Sequence, residues 1–232
     1  MKYIVMLGDG MSDEALEELG GKSPLEYAKT PVLDELSAGG ELGMVATVPE
    51  GMAPGSDTAN LSVIGYDPRK YYTGRSPLEA LSIGVPMKET DVALRTNVVT
   101  LTDEDGVAYE DRKILDHSAD EISTEDAEVL LEAAAEVLEN ETYRFYTGTS
   151  YRHCLIWDKG SVVPLTPPHD VLGQTIGQYL PHDKVLRDMQ KKSFEILKDH
   201  PLNLERKAKG LKPANSLWFW GAGTKPALSS FY

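Results

Sequence analysis

Short apolar runs and capped helical segments alternate over the first 64 residues, and this order restricts the fold more than any other feature of the sequence. The run from Lys2 to Leu7 ends at Gly8-Asp9-Gly10, and residues 41–48 form a second run, so both are predicted to be strands. Between them, Thr30-Pro31 indicates the start of a helix and Gly39-Gly40 its end. A strand, a helix and a second strand in this order are typical of a parallel α/β sheet.

The pattern becomes that of an α+β unit near residue 85. The elements predicted there are strands over residues 92–101, 143–147, 151–157 and 216–220, and helices over residues 123–140, 182–200 and up to residue 209. The first of these helices has an apolar stripe made of Ala127, Leu130, Leu131, Ala134 and Leu138. The predicted fold class is therefore α/β, with part of a parallel sheet over residues 1–84 and an inserted α+β domain over residues 85–232.

The composition argues against several classes of partner. The formal charge of −14 disfavours binding to nucleic acid or anionic lipid, because both are polyanions that attract basic surfaces. No apolar run approaches the roughly 20 residues that cross a bilayer, and Asp9 comes too early for a signal peptide, so the cytoplasm is the predicted compartment. The single cysteine, Cys154, can form neither an intramolecular disulfide nor a multi-cysteine zinc site. A bound metal would therefore need oxygen and imidazole ligands.

Two residues stand where chemistry is expected. Asp9 follows the first predicted strand between two glycines, at the place where open α/β sheets bind ligands, although Gly-Asp-Gly is also an ordinary turn composition. Ser56 follows Gly55 at the start of a predicted helix, where free N–H groups favour a phosphate, although an ordinary N-cap serine has the same setting. A serine hydroxyl is a weak nucleophile without a base or a metal, so Ser56 needs a partner.

Several motifs together resemble the archaeal-type cofactor-independent phosphoglycerate mutases of the alkaline phosphatase superfamily. The longest is the stretch from Val48 to Pro68, which contains Ala53-Pro54-Gly55-Ser56-Asp57-Thr58-Ala59-Asn60. The resemblance covers essentially the whole chain, and its other motifs are residues 6–13, 17–28, 69–75, 150–153, 166–170 and 213–221.

The resemblance implies an enzyme that moves a phosphoryl group between the 2- and 3-hydroxyls of phosphoglycerate through a phosphoserine. Ser56 would carry the phosphate, and Asp9 would bind one of two divalent ions, usually manganese but also magnesium, that also hold the Ser56 oxygen. The inserted domain would grip the phosphate and the carboxylate of the substrate. The candidates for this substrate binding are Arg152, His153, His169, Lys225 and Arg75.

Alternatives remain open for the substrate-binding residues. Arg152 could form a cross-strand salt bridge, and His153 could be a core histidine. In the segment from Asp116 to Ser123, related sequences commonly have a tyrosine second and a histidine sixth, whereas this chain has His117 and Glu121. A carboxylate at position 121 cannot replace a cation.

The family also continues well beyond Tyr232, and its later half supplies further metal ligands and strands. The expectation is therefore a truncated chain that is inactive alone, holds its two metal ions only in part, and self-associates through an uncovered sheet edge.

Three functions remain open from the sequence. The first is phosphoglycerate mutation, which needs cationic groups for a carboxylate and a phosphate. The second is a homoserine kinase-like phosphotransferase of the same superfamily, which needs an acidic contact for an ammonium group. The third is a noncatalytic fragment that binds a substrate or a partner.

Overall fold

The computed structural model describes residues 2–8 and 10–230, and the chain divides into two compact units, Met1–Ala46 and Thr47–Tyr232. This division falls earlier than the boundary predicted after residue 84, which stays a prediction about the two functional parts. None of the described helices is long and apolar enough to span a membrane. The mixed α/β class is confirmed, and it is made of eight α-helices and five strands in the part of the chain that the structure describes.

The first unit contains a 3₁₀ turn, Glu17–Leu19, and two helices, α1 (Pro24–Tyr27) and α2 (Pro31–Gly39). Ser23 and Glu26 form a capping box at the start of α1, in which each side chain accepts a hydrogen bond from the other residue's backbone N–H. The helix predicted from the Thr30-Pro31 and Gly39-Gly40 signals is confirmed as α2.

Both strands predicted in the first 48 residues were wrong for the described residues. Residues 2–7 and 41–48 carry no strand there, and Ile4, Met6 and Met44 are exposed. An extended segment becomes a strand only when a neighbouring strand takes its N–H and C=O groups, and neither segment has one. The parallel sheet is consequently not formed among the described residues, and Asp9, predicted at its edge, lies outside them.

The second unit is built on an antiparallel sheet. Its strands are β1 (Val92–Leu101), β2 (Ile114–Asp116), β3 (Tyr143–Thr149), β4 (Arg152–Trp157) and β5 (Ser216–Thr224). β1 is central: it pairs with β4 and β5, β2 pairs with its last two residues, and β3 pairs with β4 at the edge. The strands predicted over residues 92–101, 143–147 and 151–157 are confirmed as β1, β3 and β4.

The helices of the second unit are α3 (Ser56–Val63), α4 (Pro68–Tyr71), α5 (Arg75–Ser82), α6 (Thr124–Leu138), α7 (Lys184–Leu197) and α8 (Pro201–Ala208). The Ser123 hydroxyl caps α6 by accepting the backbone N–H of Asp126. All five residues of the predicted α6 stripe are buried. This confirms the helical period read from the sequence.

Every residue of β1 is buried because both faces of the sheet are covered. Leu94 and Val98 pack with α6 and α7 on one face, whereas Ala93 packs with Ala80 of α5 on the other. Side chains alternate along a strand, so Arg95 and Asn97 share the α5 face with Ala93. The most buried strand therefore places two polar side chains beneath α5.

Side chains cover the outer edges of the sheet. The Ser193 hydroxyl and the Gln190 carbonyl on α7 accept the outward N–H groups of Leu217 and Phe219 at 2.8 and 3.0 Å. At the opposite edge, the Glu139 carboxylate accepts the N–H of Phe145 at 2.6 Å. These contacts satisfy backbone groups that would otherwise be open to another chain.

β5 extends through Gly221-Ala222-Gly223, where the sequence predicted its end. A Cβ atom at Gly223 would lie 2.3 Å from the Thr73 carbonyl oxygen, so the glycine is needed for the close approach of residues 73–74. The predicted loop at residues 166–170 includes the start of a short 3₁₀ helix, Pro168–Val171.

We expect Leu130→Ala in α6 to lower the free energy of unfolding by about 2–5 kcal/mol, because this fully buried side chain leaves a cavity. The matched control, Leu204→Ala, removes the same atoms from a half-exposed position in α8 and should cost less than about 1 kcal/mol. Urea unfolding followed by circular dichroism measures both. Equal losses would contradict the assignment of α6 to the core.

Candidate functional site

A buried arginine lies at the centre of the α5 face. Arg95 of β1 is 4% exposed, and its Nη1 atom donates to Glu79 Oε1 at 2.5 Å. The same carboxylate oxygen accepts from Arg75 Nε at 3.0 Å, so Glu79 joins two guanidinium groups. Burial lowers the pKa of Arg95, and the nearby Glu79 opposes this shift.

Trp220 of β5 packs against both arginines. The Cζ atoms of Arg95 and Arg75 lie 4.8 and 5.8 Å from the centre of an indole ring, within the range of a cation–π contact. The indole N–H donates to Asn97 Oδ1 at 3.0 Å, and the ring of His169 meets the indole edge-on at 5.3 Å. This strand residue therefore joins the arginines to the segment that carries His169.

An imidazole and a guanidinium complete the group. The His117 ring lies 6.1 Å from the His169 ring and 5.6 Å from the Tyr151 ring. The guanidinium of Arg152 lies 5.5 Å from the same Tyr151 ring. We call Arg75, Arg95, Arg152, His117 and His169 the cationic cluster.

The electrostatics of the cationic cluster favour an anion. Burial lowers the pKa of His169, the neighbouring His117, Arg75 and Arg95 lower it further, and Asp170 opposes them. A cavity of about 200 Å³ lies against this cluster, and its lining includes Arg95, Arg152, Glu79 and the largely buried His153. Guanidinium groups with this spacing can hold a carboxylate or a phosphate through paired hydrogen bonds.

The side chains of Arg152 and His153 lie on opposite faces of the sheet. His153 pairs with Thr96 across the sheet and shares the face of Leu155, which packs with α6 and α7, whereas Arg152 lies on the α5 face. His153 is 3% exposed, and its Nδ1 accepts the N–H of Gly148 at 3.2 Å. Burial lowers the pKa of His153 to about 4. This placement favours a core role, and the predicted substrate role of His153 stays a prediction.

Lys225 also lies apart from the cationic cluster. It follows the end of β5, and its ammonium group pairs with the Glu89 carboxylate at 2.9 Å. Of the predicted substrate-binding residues, the described contacts bring together Arg75, Arg152 and His169, but not His153 or Lys225.

Ser56 is the first residue of α3 and its side chain is exposed. Its neighbours Gly55 and Asp57 line a cleft of about 430 Å³ that Arg75 and Trp220 also line. The Asp57 carboxylate accepts the Tyr72 hydroxyl at 2.6 Å and the Thr58 N–H at 3.0 Å, which holds the start of α3 in place. The residues on either side of Ser56 therefore line a cleft that includes one member of the cationic cluster, Arg75.

Comparison with known proteins assigns the family. The sequence profile of "2,3-bisphosphoglycerate-independent phosphoglycerate mutase" matches residues 37–203. The chain is 47% identical over 236 residues to a "Probable 2,3-bisphosphoglycerate-independent phosphoglycerate mutase" of Geobacter sulfurreducens, covering 100% of this chain and 58% of that protein. It is 46% identical to the Methanosarcina barkeri protein that carries the same name without "probable", covering 100% of this chain and 57% of that protein.

The chain belongs to this family.

The same conclusion follows from a solved structure. The "Cofactor-Independent Phosphoglycerate mutase from Thermoplasma Acidophilum" superposes with a TM-score of 0.55 at 28% identity, covering 96% of this chain and 59% of that one. The chain thus spans somewhat more than half the length of the mutases that it matches.

The metal site expected from the mutase resemblance is not complete in the described residues. Among residues 2–8 and 10–230, no three His, Cys, Asp or Glu side chains lie close enough to hold an ion. Ser56 offers one exposed oxygen, and Asp9 falls outside the described ranges.

The sequence did not identify Arg95, Glu79 and Trp220 as members of this site. One signal was available: Arg95 is the only charged residue in the otherwise uncharged run Val92–Leu101, and a charge in a buried strand is costly unless it is paired. The partners themselves carry no such signal, because they come from a helix and a strand that are distant in the sequence.

We expect Arg75→Met to raise the pKa of His169, because the substitution removes a cation that disfavours the protonated ring. NMR titration of the His169 ring proton measures the shift, and His182, which is exposed on the chain before α7, serves as the control resonance. A lower or unchanged pKa for His169 would contradict the electrostatic assignment.

We expect His153 to destabilise the fold as the pH falls from 6.5 to about 4. Its folded pKa is lowered to about 4 from 6.5, so the unfolded state binds the additional proton in this window and unfolding is favoured. The free energy of unfolding then falls by up to about 1.4 kcal/mol for each pH unit in this window. His153→Gln, which does not titrate, should flatten the pH dependence of urea unfolding, and an unchanged slope would refute the burial argument.

Proposed function

We propose that the protein containing this chain interconverts 2- and 3-phosphoglycerate through a phosphoserine at Ser56. The observation that carries this proposal is the exposed serine at the first turn of α3, beside a cleft that Arg75 also lines. Free N–H groups at a helix N-terminus stabilise a phosphate. The family membership supports the reaction, and the chain spans somewhat more than half the length of the relatives that it matches.

The cationic cluster supports an anionic substrate. Phosphoglycerate carries a carboxylate and a phosphate, and the three guanidinium groups of the cluster carry more positive charge than the Glu79 carboxylate can neutralise. We assign Arg75, Arg152 and His169 to substrate binding as predicted, and add Arg95. His153, which is buried but lines the cavity beside Arg152, and Lys225, which pairs with Glu89 after β5, stay predictions as substrate-binding residues.

The phosphoryl transfer needs no reactant other than Ser56 and the substrate. The Ser56 oxygen forms a bond to phosphorus, the bond between phosphorus and the 2- or 3-oxygen of the substrate breaks, and the serine proton ends on the freed glycerate hydroxyl. Return of the phosphoryl group to the other hydroxyl restores Ser56. The cationic cluster would hold the glycerate carboxylate between the two transfers, which keeps the intermediate from leaving.

The metal assignment stays a prediction. The resemblance implies two divalent ions, manganese or magnesium, at Asp9 and Ser56, but the described residues do not fit a complete site. We therefore derive no step through a metal ion. The cytoplasmic location and self-association likewise stay predictions.

The structure favours phosphoglycerate over homoserine. A homoserine ammonium group would need a free acidic side chain, but Glu79 already binds Arg75 and Arg95, and Asp170 lies 3.6 Å from the His169 ring. A carboxylate between two guanidinium groups is poorly placed to accept another cation.

We expect Ser56→Ala to abolish the phosphoenzyme in the full-length protein and to lower mutase turnover to background, because the acceptor oxygen is removed. Incubation with 3-phosphoglycerate followed by acid quench and intact-mass analysis detects the added phosphoryl group. The matched control is Ser62→Ala, which removes another serine hydroxyl from α3.

A phosphoenzyme that survives in the Ser56→Ala variant would overturn the role of the serine. Phosphorylation of homoserine by the wild-type protein, with mutase turnover at background, would replace the proposed substrate.

A further inference from the structure

Three consecutive residues with side chains adopt the left-handed conformation. Ala119, Asp120 and Glu121 have φ angles of 49°, 58° and 51°. A Cβ atom approaches the following carbonyl oxygen in this conformation, so such residues usually occur singly and rarely in succession. Strained backbone of this kind persists only where surrounding contacts hold it, and it concentrates at functional sites. We call residues 119–121 the left-handed turn.

A network of charged groups holds the left-handed turn. Lys212 Nζ lies 2.6 Å from Asp116 Oδ2 and 2.8 Å from Asp120 Oδ1, and the Lys212 N–H donates to the same Asp120 carboxylate. Asp116 also accepts from the N–H and the hydroxyl of Ser118 at 2.7 and 2.8 Å. We call the contacts of Lys212 with Asp116 and Asp120 the clasp.

The clasp holds one ammonium group between two carboxylates. Burial alone would raise the pKa of Asp116, but the hydrogen bonds from Lys212 and Ser118 outweigh it and hold the pKa well below its usual value. The hydrogen bonds of Lys212 to Asp116 and Asp120 raise the pKa of Lys212. On the other side of the turn, Arg206 of α8 donates to the Ala119 carbonyl at 2.7 Å and is itself buried.

The clasp lies immediately beside His117. The His117 carbonyl accepts from Asn97 Nδ2 at 3.0 Å, and Asn97 in turn accepts the indole N–H of Trp220. His117 is therefore fixed on one side by the central strand and on the other by Asp116, the next residue toward the N-terminus. The side chain is half-buried, and neither ring nitrogen has a hydrogen-bond partner among the described residues.

We propose that His117 binds the anionic substrate in the cationic cluster and that the clasp positions it there. The proposal rests on the proposed function for the identity of the anion, a phosphorylated hydroxy acid. His117 is an anion ligand because its two ring nitrogens are unpartnered and its ring lies 6.1 Å from that of His169, which the charges of Arg75 and Arg95 also reach. Asp116 and Lys212 are positioning residues, because they act on His117 only through the backbone.

Inorganic phosphate binding to this chain tests the ligand. The His117 ring proton, assigned by its loss in His117→Asn, is followed by NMR while phosphate is added. We expect a saturable shift of the His117 signal in the wild type, and a phosphate dissociation constant on the order of fivefold higher in His117→Asn, the value of one lost hydrogen bond. His182→Asn is the matched control and should bind as the wild type does.

The clasp is tested by the same titration with Lys212→Met. This variant should raise the phosphate dissociation constant about as much as His117→Asn and should change the His117 ring signal before phosphate is added. Lys212→Arg should recover most of the affinity. The matched control is Lys209→Met, which breaks only a surface pair with Glu205. If Lys212→Met fails to fold, Asp120→Asn, which removes one of the two ion pairs, replaces it.

The outcomes separate the inference from the proposed function. Phosphate affinity unchanged in His117→Asn, or no phosphate effect on the wild-type His117 signal, overturns the role of His117. Unchanged affinity and an unchanged His117 signal in folded Lys212→Met overturn the clasp. Neither of these results would affect the phosphoenzyme proposed at Ser56. If phosphate binds at His117 but no phosphoenzyme forms, the proposed function is overturned and the role of His117 stands.

Discussion

The burial of one guanidinium group in the middle of β1 constrains the rest of the site. An arginine stays protonated even when desolvated, so the cost of burying Arg95 must be offset by partners. Glu79 supplies the opposite charge from α5, and Trp220 supplies an aromatic face from β5. Because each partner comes from a different element, α5 and β5 must both be packed on β1 before the charge is tolerated. The packing of this face and the assembly of the cationic cluster are therefore one event.

The local parts of the fold follow from the sequence. The stripe of α6, the Ser123 cap and the full length of β1 were predictable, because they depend on residues a few positions apart. The segments 2–7 and 41–48 show the limit of such reasoning. Their composition suits a strand, but a strand forms only with a neighbour, and no local pattern supplies that neighbour.

The candidate site likewise contains residues that the sequence predicts and residues that it does not. Ser56 was predictable because glycine and helix-start signals surround it, and Arg152 because it lies in a recognisable motif. The adjacent His153 was predicted to bind substrate together with Arg152, but side chains alternate along a strand, so His153 lies on the opposite face of the sheet. Arg95, Glu79 and Trp220 meet only through sheet pairing and helix packing, and the left-handed turn is built from residues that ordinarily avoid that conformation. Such features become visible only in three dimensions.

The central position of β1 has a consequence for biosynthesis. Its partner β5 begins at Ser216, so one side of β1 has no strand to pair with until most of this chain has left the ribosome. During that interval, Arg95 lacks the indole of Trp220, and the apolar residues of β1 remain accessible to other chains. Pairing of such distant segments slows folding, and exposed strand edges promote aggregation. A nascent chain paused between residues 101 and 216 is accordingly the species most in need of a chaperone.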